Sequence, residues 1–203
     1  MEINTELEKI TNYLLLRSSY MNDLGLFHGK MGVAIALYAY ANHYDDELIE
    51  EYAWDLIQQV NDAVYTDMPV GLEYGLAGIG YGTTLLQMHG FVDCDLNDIL
   101  ADIDAKIMER DPRRMTDMSV RSGAAGIQLY ISMRQKACSK VLTFDELYVS
   151  ELQAALAVRA VAATDIDVIS LLNRPTFDIE DYLEKPIGID GGSAYYILEE
   201  LPV

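Results

Sequence analysis

The chain has 203 residues, 51% of them hydrophobic, and its 33 acidic and 14 basic side chains give a net charge of −19. This composition indicates a folded domain and excludes a disordered chain. The acidic balance opposes binding to nucleic acids and anionic membranes, both of which require basic patches. The two cysteines, Cys94 and Cys138, form no zinc-ligand or disulfide pattern, and we find no signal-peptide pattern or apolar run of spanning length, so we expect a cytoplasmic protein without membrane contact.

The first 64 residues predict three helices with different faces. Apolar residues recur at helical spacing over 3–18, which indicates an amphipathic helix. The segment 32–44 is rich in alanine and apolar on nearly every face, as is typical of a buried helix. An apolar stripe over 45–64 lies opposite Asp and Glu residues, which predicts an outer helix with an acidic first turn.

The same order of elements follows twice more along the chain. A buried helix over 78–89 precedes an amphipathic stripe over 96–107. A third buried segment runs over 123–133, and the next outer helix begins at a capping-box pattern, Thr143-Phe-Asp-Glu146. A short helix is predicted over 165–173. No alternating pattern of β-branched residues competes, so the fold class is all-α.

Each buried segment is introduced by an eight-residue pattern that we call a glycine frame. Its fullest form has glycine at the first, fifth and eighth positions. The third copy begins with serine and the fourth ends in tyrosine, and the spacing of roughly 50 to 70 residues is typical of repeated helix pairs. The four frames are Gly25–Gly32, Gly71–Gly78, Ser119–Gly126 and Gly188–Tyr195. We expect the glycines mainly to allow tight loops and close packing of the inner helices.

The glycine frames resemble those of the lanthionine synthetase C-like (LanC-like) family. The resemblance runs from Gly25 to about Leu201 and implies a single α/α domain over 1–203, a toroid of inner and outer helices. Family cyclases have about seven helix pairs, whereas this chain has four frames. It therefore resembles a partial toroid, which is an open arc, a tighter ring, or a ring completed by a partner such as a second copy.

The resemblance also implies a chemistry that the residues do not support. Family cyclases hold zinc with two cysteines and a histidine, in Cys-His-Gly and Cys-Tyr-Gly contexts, and activate a peptide thiolate for addition to a dehydrated residue. Here those positions read Phe27-His28-Gly29 and Glu73-Tyr74-Gly75. With both cysteines missing, thiolate ligation of zinc is not supported, and we expect no cofactor, with zinc only as a minor alternative.

Aligning the frames predicts which side chains meet at the mouth of a central cavity. The candidate binding residues are His28, Glu73, Tyr74, Arg121 and Asp190. The favoured interpretation is a structural network of ion pairs that holds the loops. A pocket for a peptide terminus or a small polar ligand is the second interpretation. A metal site from His28, Glu73 and Asp190 is the third, although Arg121 would compete for the carboxylates.

Three functions remain open on these residues. The favoured hypothesis is a non-catalytic LanC-like protein that binds a peptide or partner protein in a modified-peptide pathway. The second is an enzyme, a lanthionine-forming cyclase or another activity that uses His28, Glu73 and Asp190, with no catalytic residue assigned. The third is a purely structural assembly module. Fold resemblance alone does not decide among them.

Overall fold

The computed structural model describes residues 4–65, 67–137, 143–159 and 166–201, and over these ranges the chain contains helices but no strand. The all-α prediction is therefore confirmed for the described residues. Short 3₁₀ turns lie at Pro112–Arg114, Val168–Leu171 and Ile179–Asp181. The α-helices are α1 Thr5–Ser18, α2 Lys30–Tyr44, α3 Glu47–Ala63, α4 Leu76–Met88, α5 Leu96–Ile99, α6 Ala101–Met108, α7 Ala124–Ala137, α8 Glu146–Val158 and α9 Ala194–Glu200.

The helices that follow the first three glycine frames are the buried ones, as their composition predicts. Helix α2 is buried continuously from Lys30 to Ala41. Helices α4 and α7 are buried from their first residues through Thr84 and Ser132, respectively. Because apolar side chains surround each of these helices, no face is left that would favour water. Helix α2 therefore lies in the core of the first part of the chain, and α4 and α7 lie in the core of the middle part.

The outer helix α3 shows how its ends are fixed by local sequence. The Asp46 carboxylate accepts hydrogen bonds from the amides of Leu48 and Ile49 and so caps the helix. Asp45 lies in the left-handed region at φ 57° and ends the preceding helix α2. The buried face of α3 carries five apolar residues, Ile49, Ala53, Leu56, Ile57 and Val60. The sequence predicts Asp45 in the first turn of α3, whereas in the structure Asp45 lies in the turn between α2 and α3.

Three sequence-based expectations about the outer helices need correction. The predicted capping box at Thr143 does not form, because Asp145 caps α8 and the Thr143 hydroxyl donates instead to Asp104. The stripe over 96–107 is interrupted at Leu100, so it forms the two helices α5 and α6. Of the helix expected over 165–173, residue 165 lies outside the described residues, and the rest contains a single 3₁₀ turn at Val168–Leu171.

The chain divides into two compact units. Unit 1 comprises Met1–Val64 and Asp167–Val203, and unit 2 comprises Tyr65–Ile166. In unit 1, helix α2 packs against α1, α3 and α9. The Tyr52 hydroxyl of α3 donates to the Leu15 carbonyl of α1 at 2.8 Å. Unit 1 thus joins the first and last parts of the chain around the first inner helix.

Unit 2 contains the second and third inner helices. Helix α4 packs against α7 and α6, and α7 also packs against α8. Gly80 of α4 faces the Tyr130 ring so closely that an added Cβ would lie 2.5 Å from ring carbon Cζ. This close approach explains why α4 carries glycine inside a helix, where glycine is otherwise unfavourable.

A fully buried ion pair lies in the core of unit 2. The Arg134 guanidinium donates to Asp104 at 3.0 Å, and both side chains are completely excluded from solvent. The Tyr130 hydroxyl donates to the same carboxylate at 2.5 Å, and burial, followed by the Asp104 charge, holds the pKa of Tyr130 well above its ordinary value. Arg134 also donates to the Asn97 amide oxygen at 3.0 Å. This network ties α5, α6 and α7 together.

Within the described ranges, no helix combines the length and the apolar character that a membrane span needs.

Candidate functional site: the paired glycine frames

The four glycine frames share one backbone hydrogen bond that closes each loop. In every frame, the amide that follows the central glycine donates to the carbonyl seven residues earlier. The bonds are Lys30 to Asp23 at 2.9 Å, Leu76 to Pro69 at 2.8 Å, Ala124 to Asp117 at 3.0 Å and Ser193 to Pro186 at 2.8 Å. Each frame is therefore a closed loop that delivers the chain directly into the first turn of an inner helix.

The residue that accepts this bond defines two types of frame. In the first and third frames the accepting residue is an aspartate. Its carboxylate also accepts a hydrogen bond from the amide of the frame's first residue. Gly25 donates to Asp23 and Ser119 donates to Asp117, each at 2.8 Å. The Ser122 hydroxyl, which donates to Asp117 at 2.6 Å, is the main cause of the lowered pKa of that carboxyl. In the second and fourth frames the accepting residue is a proline.

Within each unit, one proline frame is paired with one aspartate frame. In unit 1, the Asp190 amide of the fourth frame donates to the Phe27 carbonyl of the first frame at 2.9 Å. In unit 2, the Glu73 amide of the second frame donates to the Arg121 carbonyl of the third frame at 2.8 Å. All four residues occupy the third position of their frames, so the two pairings are equivalent.

The first glycine of each proline frame is required by this pairing. A Cβ added to Gly188 would lie 2.7 Å from the His28 Cα, and one added to Gly71 would lie 2.8 Å from the Ser122 Cα. Contacts this short between a Cβ and backbone atoms would force the paired loops apart. The same crowding at the same position in both units supports the equivalence of the two pairings.

In unit 1, the paired frames bring His28 and Asp190 together. The His28 Nε2 atom lies 3.5 Å from Asp190 Oδ2, and the Asp190 side chain is only 5% exposed. The Asn173 backbone amide donates to Asp190 Oδ1 at 2.5 Å, and the Asn173 side-chain amide donates to Oδ2 at 3.2 Å. The Asp190 carboxylate therefore fixes the segment around Asn173 to the fourth frame, besides facing the imidazole.

In unit 2, the equivalent contact is an ion pair between Glu73 and Arg121. The Arg121 Nη1 atom lies 3.2 Å from Glu73 Oε1. The Arg121 side chain is 29% exposed and the Glu73 side chain is 16% exposed. This pair is the one expected from the frame alignment. Tyr74, the next residue along the chain, is half exposed.

The five candidate residues are thus divided between the units. Asp190 and His28 meet in unit 1, and Glu73 and Arg121 meet in unit 2 beside Tyr74. The sequence analysis missed Asn173, which lies outside every frame and carries no pattern of its own. It also missed Asp23 and Asp117, although extending the frame alignment by two residues would have shown an aspartate at the same offset in the first and third copies.

The residues at the family's ligand positions do not fit the zinc site that the resemblance implies. Phe27 has no donor atom and is fully buried in the core of unit 1. Glu73 stands at the second cysteine position, and its carboxylate is engaged by Arg121. The soft thiolate ligands that such a site uses are absent from both positions.

The sequence matches no protein-family model and no curated protein.

Proposed function

We propose that the chain is a short, non-catalytic LanC-like protein that binds a peptide or a partner protein. The proposal includes the arrangement of its helices as an α/α toroid or part of one, and a role in the cytoplasm in a modified-peptide pathway. The frames support the relationship: four loops of one design each precede an inner helix, and they are paired at equivalent positions.

The observation that carries the non-catalytic interpretation is the engagement of the polar frame residues. Asp190 accepts two hydrogen bonds from Asn173, and Glu73 accepts one from Arg121. A catalytic carboxylate or ligand needs its charged atoms directed at substrate or metal. These hydrogen bonds of Asp190 and Glu73 support their loops, and Phe27, which has no donor atom, occupies one of the family's ligand positions. Binding is then the activity that this scaffold best supports.

The half-exposed Tyr74 is the frame side chain best suited to contact a partner. It is 50% exposed and follows directly after the Glu73–Arg121 pair, which holds its loop in place. Tyrosine supplies apolar area and a hydroxyl at low cost in side-chain entropy, and it is enriched in protein interfaces. A rigid loop that displays tyrosine beside an ion pair suits recognition of a peptide with both apolar and polar groups.

A model peptide tests binding and catalysis together. The probe is a synthetic peptide with one dehydroalanine, one cysteine and a fluorescent label, incubated with the purified protein and Zn²⁺. We expect a rise in fluorescence anisotropy on binding, while the cysteine stays fully reactive to an alkylating reagent by mass spectrometry. Loss of the reactive thiol at the unchanged peptide mass would show cyclisation and would overturn the non-catalytic assignment.

A matched pair of tyrosine variants locates the binding. Tyr74→Ala should weaken binding by about tenfold, as expected for a central aromatic contact. Tyr65→Ala removes another exposed tyrosine of the same unit, 60% exposed and outside the frame, and should leave the affinity unchanged. Equal affinities for both variants, or no anisotropy change with the parent protein, would contradict the proposed peptide-binding role of this loop.

A further inference from the structure

Unit 1 contains a pocket that none of the frame residues lines. It has a volume of about 460 Å³ and lies between the C-terminal end of α1, with the residues that follow it, and the segment that leads into the fourth frame. Its lining residues are Arg17, Tyr20, Met21, Lys185, Pro186 and Ile187. We call it the Arg17–Lys185 pocket. Its residues all belong to unit 1, and the inference drawn from it is independent of the family resemblance.

The charge of this pocket is opposite to that of the chain. Acidic residues outnumber basic ones by 33 to 14 in the sequence, yet two basic residues and no acidic residue line the pocket. Lys9 and Arg174, two other cations of unit 1, are paired with Glu6 and Glu199. Among the described residues, neither Arg17 nor Lys185 forms an ion pair. Two uncompensated cations are thus brought to one pocket.

Aromatic rings hold both cations in position. The Arg17 guanidinium lies over the Tyr13 ring, 5.9 Å from its centre. The Lys185 ammonium lies over the Phe177 ring at 5.8 Å. The Tyr13 hydroxyl donates to the Lys185 carbonyl at 3.5 Å and so links the two sides of the pocket. Stacking on a ring restrains a cation without neutralising its charge.

The rest of the lining is apolar, and much of it is open to solvent. Tyr20 is 84% exposed, although a large aromatic side chain gains free energy from burial. Met21, Pro186 and Ile187 add further apolar surface. A ligand that fills this pocket would therefore gain from an anionic group near the cations and from a flat apolar body against Tyr20.

We propose that the Arg17–Lys185 pocket binds an organic carboxylate carried on an aromatic or aliphatic body. The Arg17 guanidinium can donate two parallel hydrogen bonds to a carboxylate, and the Lys185 ammonium adds a second positive charge. Tyr20 covers the apolar body of the ligand. The same chemistry is offered by a free aromatic acid and by the C-terminal carboxylate of a peptide that ends in an aromatic residue.

Isothermal titration calorimetry with four probes tests this assignment. The probes are N-acetylphenylalanine, its neutral carboxamide, acetyl-Gly-Gly-Phe as the free acid, and inorganic phosphate. We expect the free acids to bind about tenfold more tightly than the carboxamide, the effect of losing a charge-assisted hydrogen bond. They should also bind more tightly than phosphate, which lacks an apolar body.

The two acids distinguish the two sources of the carboxylate. Tighter binding of acetyl-Gly-Gly-Phe than of N-acetylphenylalanine assigns the pocket to peptide C-termini, and the reverse order assigns it to free acids. Equal affinity for acid and carboxamide, affinity for phosphate that matches the acids, or no heat from either acid up to about 10 mM, a limit far weaker than ordinary specific binding, would overturn the proposal.

Three variants place the binding in this pocket. Arg17→Gln and Lys185→Gln should each weaken the acid by about three- to tenfold. Lys9→Gln is the matched control, because Lys9 lies on the same helix as Arg17 but is paired with Glu6, and it should bind as the parent does. Circular dichroism confirms that each variant folds. Unchanged affinity in both pocket variants would contradict the assignment even if the acid binds elsewhere.

Discussion

Units 1 and 2 share the backbone of their paired frames but differ in the side chains that the pairing brings together. Unit 1 places the His28 imidazole beside Asp190, whose carboxylate also accepts hydrogen bonds from Asn173. Unit 2 places the permanently charged Arg121 beside Glu73. The repeated feature is therefore a loop geometry, whereas the chemistry displayed on the loop is free to differ between the units.

The cores of the units differ in a second way. Unit 2 buries the Asp104–Arg134 ion pair completely. The buried cation described in unit 1, Lys30, donates to the neutral Gln59 side chain at 2.6 Å instead. A buried ion pair is costly to desolvate and costly to break by removing one partner. Unit 2 should therefore respond far more strongly than unit 1 to the loss of a core charge.

The largest effect is expected for Arg134→Met in unit 2. The substitution leaves the Asp104 carboxylate buried without its cation, which should lower the free energy of unfolding by about 3 to 5 kcal/mol. Urea unfolding followed by circular dichroism measures the change. Arg114→Met is the control, since this side chain of the same unit is 88% exposed, and it should change little. If Arg134→Met lowers the free energy of unfolding by less than about 1 kcal/mol, the ion pair does not stabilise the fold as proposed.

A smaller loss of stability, of the same size in both units, is expected when a side chain is added where the two frames of a unit touch. Gly71→Ala and Gly188→Ala each place a Cβ against backbone atoms of the partner frame and should cost about 1 to 3 kcal/mol. Thermal unfolding compares them with Gly191→Asn, whose position has φ +67° and open space around it; asparagine tolerates that conformation. If one alanine variant is as stable as the parent, the two frame pairs are not equivalent.

Neutralising the carboxylate at the third frame position should lower the stability more in unit 1 than in unit 2. Asp190→Asn disturbs hydrogen bonds from both the backbone and side chain of Asn173 and should cost about 1 to 3 kcal/mol. Glu73→Gln removes the negative charge from a partly exposed ion pair with Arg121 and should cost about 0.2 to 1 kcal/mol. Chemical denaturation of both variants measures the difference. The opposite order would mean that Asp190 does not hold the loop.

The smallest effect is a pH dependence at the third frame. The Ser122 hydroxyl and the Ser119 amide hold the pKa of Asp117 below its ordinary value. A lowered folded-state pKa stabilises the fold above the unfolded-state pKa, and this contribution is lost as the pH falls through the folded-state pKa. Asp117→Asn should therefore be slightly less stable than the parent at pH 7, and the difference should shrink as the pH falls through the lowered folded-state pKa of Asp117. A difference that grows towards acid would contradict this assignment.

The inner helices could be predicted from the sequence because burial alone defines them. The expected segment 32–44 corresponds to α2 at Lys30–Tyr44, and 78–89 corresponds to α4 at Leu76–Met88. The outer elements were harder because local patterns compete there. Thr143 fits a capping box, but Asp145 is a better-placed cap and the Thr143 hydroxyl finds the buried Asp104.

The candidate site was predictable only in part. Aligning the frames placed Glu73 and Arg121 in one group of five candidate residues, and within unit 2 these two side chains form an ion pair. The alignment did not show that the first frame pairs with the fourth and the second with the third within the units, because pairing depends on backbone approach rather than on side-chain type. Asn173 could not be found, because the sequence predicts only a short helix there, whereas in the structure Asn173 follows a 3₁₀ turn and its amide donates to Asp190.

Native-state amide hydrogen exchange at Asp190 and Glu73 tests the equivalence of the two frame pairs most directly. These amides donate to Phe27 and Arg121 at 2.9 and 2.8 Å, and a hydrogen-bonded amide exchanges only when its bond opens. We expect NMR to show both amides protected as strongly as those in the inner helices α2 and α4. Exchange of either amide at the rate of an open loop would contradict the claim that each unit is built from two paired frames.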